Sequence, residues 1–89
     1  MPLLALAPIV PSPAHTTAAI HFVLPSAGDV TLAIHDVQGR RVAAPIDHVT
    51  MTAGPHVIDV DTSRLRPGAY VFRLRRGSQS VTQTMIVAP

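Results

Sequence analysis

Apolar and polar residues alternate along most of this chain. Ile20, Phe22 and Leu24 are interleaved with Ala19, His21 and Val23. Val30, Leu32 and Ile34 are interleaved with Thr31, Ala33 and His35, and Tyr70, Phe72 and Leu74 with Val71, Arg73 and Arg75. Ile58 and Val60 flank Asp59. In a strand successive side chains point to opposite faces, so this period predicts antiparallel strands with one buried face. Two stretches are weaker. Val42–Ile46 and Val49–Met51 read as edge-like, because Pro45 has no N–H to donate to a ladder. From Val81 to Val87 both faces carry apolar residues, so alternation does not fix that strand's register.

Turn signals punctuate the pattern at Pro25–Gly28, Gly39, Ala53-Gly54-Pro55, Pro67-Gly68 and Gly77. The intervals suit several short strands and leave no room for a long helix. Two turns carry a mechanism. Asp36-Val37-Gln38-Gly39 offers a carboxylate to accept backbone N–H bonds and a glycine free to take φ > 0 and form a bulge. Leu65–Tyr70 contains Pro67-Gly68 just before a tyrosine at a strand start, the setting of a tyrosine corner, in which the hydroxyl bonds back to upstream backbone. Phe72 then takes the slot of the second Cys in disulfide-bonded immunoglobulin domains. The expected core is Ile20, Phe22, Leu24, Val30, Leu32, Ile34, Val42, Ile58, Val60, Tyr70, Phe72 and Leu74. The expected fold is all-β, an immunoglobulin-like antiparallel sandwich of about seven strands.

Composition agrees. Val, Ile and Thr supply 25 of 89 residues, and the helix formers Lys and Glu are absent. The length allows one domain: an apolar, Pro-rich N-terminal segment or edge strand over residues 1–14, and the sandwich over 15–89. Leu3–Val10 is too short for a membrane helix and lacks the basic flank of a signal peptide, so it reads as an edge segment. No Cys means no disulfide and no Cys-based zinc site. All seven basic residues are Arg, yet the formal net charge is only +2, and aromatic residues make up 3%. That combination argues against nucleic acid.

Five ordered segments resemble a known family: Pro11–Phe22, Leu24–Leu32, Ile34–Val42, Ala53–Ile58 and Leu65–Leu74. They are similar to the immunoglobulin-like sorting domain at the C-terminus of proteins exported by the bacterial type IX (Por) secretion system. They are also similar to the immunoglobulin-like domain of the flagellar hook-capping protein. The likeness runs from about Leu6 to Val87. Two features depart from the family pattern: no Trp stands near Val60, and Gln83–Pro89 has no basic residue. The resemblance implies a secreted or cell-surface protein whose partners are the secretion machinery or neighbouring subunits, with no covalent chemistry.

Candidate chemistry is sparse. The five His are scattered at 15, 21, 35, 48 and 56. His21 and His35 share outward parity and are expected as cross-strand neighbours, but a two-His site still needs further ligands. Asp59 and Asp61 with Thr62 and Ser63 fall short of the six or more oxygens calcium takes, and Asp61-Thr62-Ser63 is better explained as a side-chain-to-backbone turn. No Gly-x-Ser-x-Gly, phosphate loop or carboxylate pair points to an enzyme, and no cofactor is expected. A carbohydrate-binding sandwich would stack sugars on aromatics, and only Tyr70 is on offer.

The informative polar residues are the arginines. Arg73 and Arg75 face outward, and in an immunoglobulin-like topology their strand is expected beside the one starting at Arg41. Arg41, Arg73 and Arg75 then form a basic patch, with Arg40 and Arg76 at its ends, suited to an anionic partner such as a surface glycolipid or the export machinery. The other candidate surface is the N-terminal segment. Leu3, Leu4, Leu6, Ile9 and Val10 can pack along their own sandwich or pair with a neighbouring copy, which would build a homo-oligomer or filament.

Overall fold

The computed structural model describes residues 3–10, 14 and 16–89. Seven strands follow one another: β1 (Ala5–Leu6), β2 (Thr17–Leu24), β3 (Gly28–Asp36), β4 (Arg41–Met51), β5 (Gly54–Asp61), β6 (Gly68–Arg76) and β7 (Gln79–Val87). They form a three-stranded sheet in the order β1-β2-β5 and a four-stranded sheet in the order β4-β3-β6-β7. All strand pairings are antiparallel. Among the described residues no helix is long and apolar enough to cross a membrane.

The strand boundaries fall at the turn signals, each for a local reason. In the β3–β4 hairpin, Asp36 Oδ1 accepts the N–H groups of Gln38 (2.9 Å) and Arg40 (3.0 Å), and Gly39 has φ of 81°. These bonds hold the Asp36 carboxyl below its ordinary range, the Arg40 N–H being the largest cause. At the start of β6 the Tyr70 hydroxyl donates to the Arg66 carbonyl at 2.6 Å, closing the tyrosine corner. After β5, Asp61 Oδ1 accepts from the Ser63 N–H (2.9 Å) and hydroxyl (2.6 Å).

The inner faces of both sheets meet in one core. Ile20, Leu24, Val30, Leu32, Ile34, Phe72, Leu74 and Met85 are fully buried, with Phe22, Val60 and Tyr70 beside them; Ile58 is half-buried against the same cluster. In β7 the odd positions point inward. Met85 and Val87 are buried, and Gln83 is tolerated in the same file because its amide donates to the Leu6 carbonyl at 2.9 Å.

Val42 corrects the expected core, for it is 44% exposed. Ile34 pairs with Ala43 while His35 pairs with Arg41, so Val42 is the extra residue of a bulge and is turned off the inner face. Two more register shifts follow along β4, and His48 near the last of them takes φ of 52°. Ile46 becomes the buried residue of this strand. Bulges and Pro45 together blunt an edge that would otherwise invite pairing with other chains.

The described residues of the N-terminal segment join the sandwich at three places. Ala5 and Leu6 pair with Val23 and Phe22, and Val10 bridges Ala19. Ala14 is on the other sheet, where it bridges Val87 in parallel. Its N–H donates to the Ile86 carbonyl, and its carbonyl accepts from Ala88, both at 2.8 Å.

Candidate functional site

The outer face of the four-stranded sheet is built on Thr31, Ala33 and His35, the outward residues of central strand β3. Arg75 pairs with Thr31 and Arg73 with Ala33 on the β6 side, while Arg41 pairs with His35 on the β4 side. Here the strand order expected from sequence needs correcting. β6 does not adjoin β4, because β3 runs between them. The three arginines still share one face, since all three line a shallow depression over Thr31, Ala33 and His35. Residues two apart on a strand stand about 7 Å from each other, and positions two strands over about 10 Å, which sets the spacing of the guanidinium stems. Ala33 is buried although it faces outward, as expected where long arginine stems lie over a small side chain.

Charge on this face is poorly compensated. Arg41 Nη2 is 3.8 Å from Asp47 Oδ1 with both side chains largely exposed, which makes a weak pair. Among the described residues, no carboxylate lies within ion-pair distance of Arg73 or Arg75. The two arginines expected at the patch ends are held elsewhere. Arg40 Nε is 2.9 Å from Asp36 Oδ2. Arg76 donates to the Ser26 carbonyl (2.9 Å), the Ala27 carbonyl (3.0 Å) and the Ser26 hydroxyl, which anchors the end of β6 to the β2–β3 turn. Gly28 leaves room for this, since a Cβ there would stand 3.1 Å from Arg76 Nε.

Beside the depression lies a larger bowl of about 520 Å³, which Arg41, Arg75, Arg76, Asp29, Thr31 and His48 help to line. His48 Nδ1 is 2.8 Å from Asp29 Oδ2, and the His48 N–H donates to Thr31 Oγ1 at 3.3 Å. The hydrogen bond to Asp29, then its negative charge, raises the His48 pKa above 6.5. Sequence reasoning missed this bowl. It exists because the third bulge of β4 swings His48 onto Asp29, and period-two alternation carries no mark of where a bulge falls.

The other candidates separate. His21 is on β2 and His35 on β3, in different sheets, so they are not cross-strand neighbours. His56 stacks on Phe22 with ring centroids 5.3 Å apart, and its Nε2 is 2.8 Å from the Thr52 carbonyl. His15 lies outside the described residues. Among the described residues no three His, Asp, Glu or Cys side chains gather as a metal site would need. Of the N-terminal candidates, Leu4, Leu6 and Ile9 are buried in the chain's own core, while Leu3 and Val10 are 72% and 50% exposed.

No curated protein matches the chain. A family model described as a secretion system C-terminal sorting domain matches residues 8–88, from just after β1 to the end of β7. The match takes in β2 to β7, and with them the tyrosine corner, the Asp36 turn and the arginine face. The chain thus belongs to the C-terminal sorting domains of type IX secretion, the family that marks proteins for export to the cell surface or the medium.

Proposed function

We propose that this chain is a non-catalytic sorting module that docks on the secretion machinery through the outer face of its four-stranded sheet. The observation that carries the reading is the pair Arg73 and Arg75, exposed on one strand with no carboxylate in reach among the described residues, with Arg41 across β3. Guanidinium groups on a flat, rigid sheet suit an acidic protein surface, because they match carboxylates in bidentate fashion without reordering the backbone. Such a face also speeds encounter with a partner of opposite sign.

A reporter protein fused ahead of the chain, in a bacterium with type IX secretion, tests the proposal. Export of the parent fusion and retention of the Arg73→Ala/Arg75→Ala fusion are expected. Equal export of both would overturn docking by this face. Binding of the purified chain to an anionic surface glycolipid, with no loss of export in the variant, would move the face's role from the machinery to the membrane surface. Self-association into a homo-oligomer or filament has less to draw on. Of the five N-terminal apolar residues only Leu3 and Val10 remain outside the core.

A further inference from the structure

We infer that the bowl between the β2–β3 turn, the β6–β7 turn and the third bulge of β4 binds a phosphorylated sugar. It stands apart from the docking reading, although Arg41 and Arg75 serve both surfaces. Arg73 does not line the bowl, and His48 does not line the depression over β3.

Three guanidinium groups border the bowl: Arg41 from β4, and Arg75 and Arg76 from the end of β6. Asp29 is the carboxylate among them, and it is paired with His48 at 2.8 Å. Positive charge therefore dominates. Arg76 is held in place by bonds to two carbonyls, which fix its position without neutralising it. Cations from two strands, Arg41 on β4 facing Arg75 and Arg76 on β6, suit a tetrahedral oxyanion better than a flat carboxylate, which one fork satisfies from one side.

The volume points to more than a bare anion. About 520 Å³ lies within the range of small-molecule sites and leaves space beside a phosphate for the group that carries it. The second oxygen of Asp29 and the hydroxyl of Thr31 are the neutral-partner acceptors there, suited to sugar hydroxyls, which a lipid tail does not offer. Recognition by stacking is not needed. The one tyrosine is buried, with its hydroxyl spent on the Arg66 carbonyl. Shape is maintained by the two ends of the site: Gly28 makes way for Arg76, and His48 is fixed in its left-handed conformation by bonds to Thr31 and Asp29.

The test is a titration of the ¹⁵N-labelled chain with glucose 1-phosphate, inorganic phosphate and glucose at constant ionic strength, following amide shifts. Glucose 1-phosphate is expected to move Gly28, Thr31, His48, Arg75 and Gly77 and to bind about tenfold more tightly than either fragment, a gain of about 1.4 kcal/mol. Arg75→Gln should abolish the response, and Arg73→Gln should keep it. Both positions are exposed, and a thermal melt of each variant confirms that it is folded. Three results would overturn the inference: no shifts, equal weak responses to phosphate and the sugar phosphate, or loss of binding in both variants alike. The export assay repeated with Arg73→Ala alone, whose side chain lines the depression and not the bowl, reads docking separately, so either reading can fail alone.

Discussion

The two outer faces of the sandwich are made by the same alternation and have opposite characters. On the four-stranded sheet the outward positions include Arg41, Arg73 and Arg75 around small or polar residues of β3. On the three-stranded sheet they are Ala5, His21, Val23, Pro55 and Val57, and the acids Asp59 and Asp61 follow along β5. Val23, Pro55 and Val57 border an apolar hollow of about 260 Å³ there. Inside, the sheets are alike: aliphatic side chains around Phe22 and Phe72. Folding constrains the inner file of each strand and leaves the outer file free, so the outer file is where function can be written. One face presents positive charge, and the other is apolar with negative charge at one end.

The largest disturbance removes the common interior and with it both faces. Phe72→Ala empties the centre of the core and should destabilise by about 3–5 kcal/mol, measured by urea unfolding. A domain of this size has little stability in reserve, so a fraction of molecules would be unfolded without denaturant.

Next comes inversion of one face alone. Arg73→Glu/Arg75→Glu should abolish export of a fused reporter while changing stability by no more than about 0.5 kcal/mol, since neither arginine has an ion pair to lose among the described residues. The partner experiment, Val23→Thr/Val57→Thr on the other face, should leave export unchanged. If both pairs block export, the contrast between faces is not the functional one.

Two smaller changes probe the ends of the sheets. Tyr70→Phe breaks the corner bond to Arg66 and should cost about 1 kcal/mol by thermal unfolding. Thr62→Val should act in the opposite direction by a similar amount. The Thr62 hydroxyl is fully buried and has no hydrogen-bond partner among the described residues, so replacing it by a methyl removes a desolvated polar atom at constant shape.

The smallest effect is the pH response of the cationic side. His48 has a folded pKa above its unfolded value of 6.5, so its pair with Asp29 contributes stability that is fully present below pH 6.5 and is lost as pH rises through the folded pKa. Both groups are exposed, so the change is slight. The His48 ring proton should titrate with a midpoint above 6.5 by NMR, and Asp29→Asn should bring it back toward that value.

How much of this was legible in the sequence depends on what a pattern can encode. Alternation marks the inner files of β2, β3 and β6, because each has an unbroken run of large apolar residues at every second position. Asp36 with Gly39, and Pro67-Gly68 with Tyr70, announced their turns because both depend on short-range bonds made by particular side chains. Strand order is a different quantity. The three arginines do share one face, but β3 separates β4 from β6, and periodicity along a strand says nothing about which strand lies beside it. Val42 follows Arg41, the partner of His35, so an unbroken register would set it opposite Ile34 on the inner face. The bulge that expels it, like the one that brings His48 to Asp29, is decided by pairing with β3, a contact distant in sequence. β7 was ambiguous for a simpler reason: apolar residues on both faces leave its phase open until Met85 and Val87 meet the core.

The parallel bridge at Ala14 has a mechanical meaning. Parallel segments run the same way, so pulling the two ends of the chain apart slides residue 14 along Val87 instead of peeling it away. The bonds to Ile86 and Ala88, both 2.8 Å, are then loaded together in shear. Once β1 and the Val10 bridge have come away from β2, this short seam carries the load, and it gives way as a latch does, all at once.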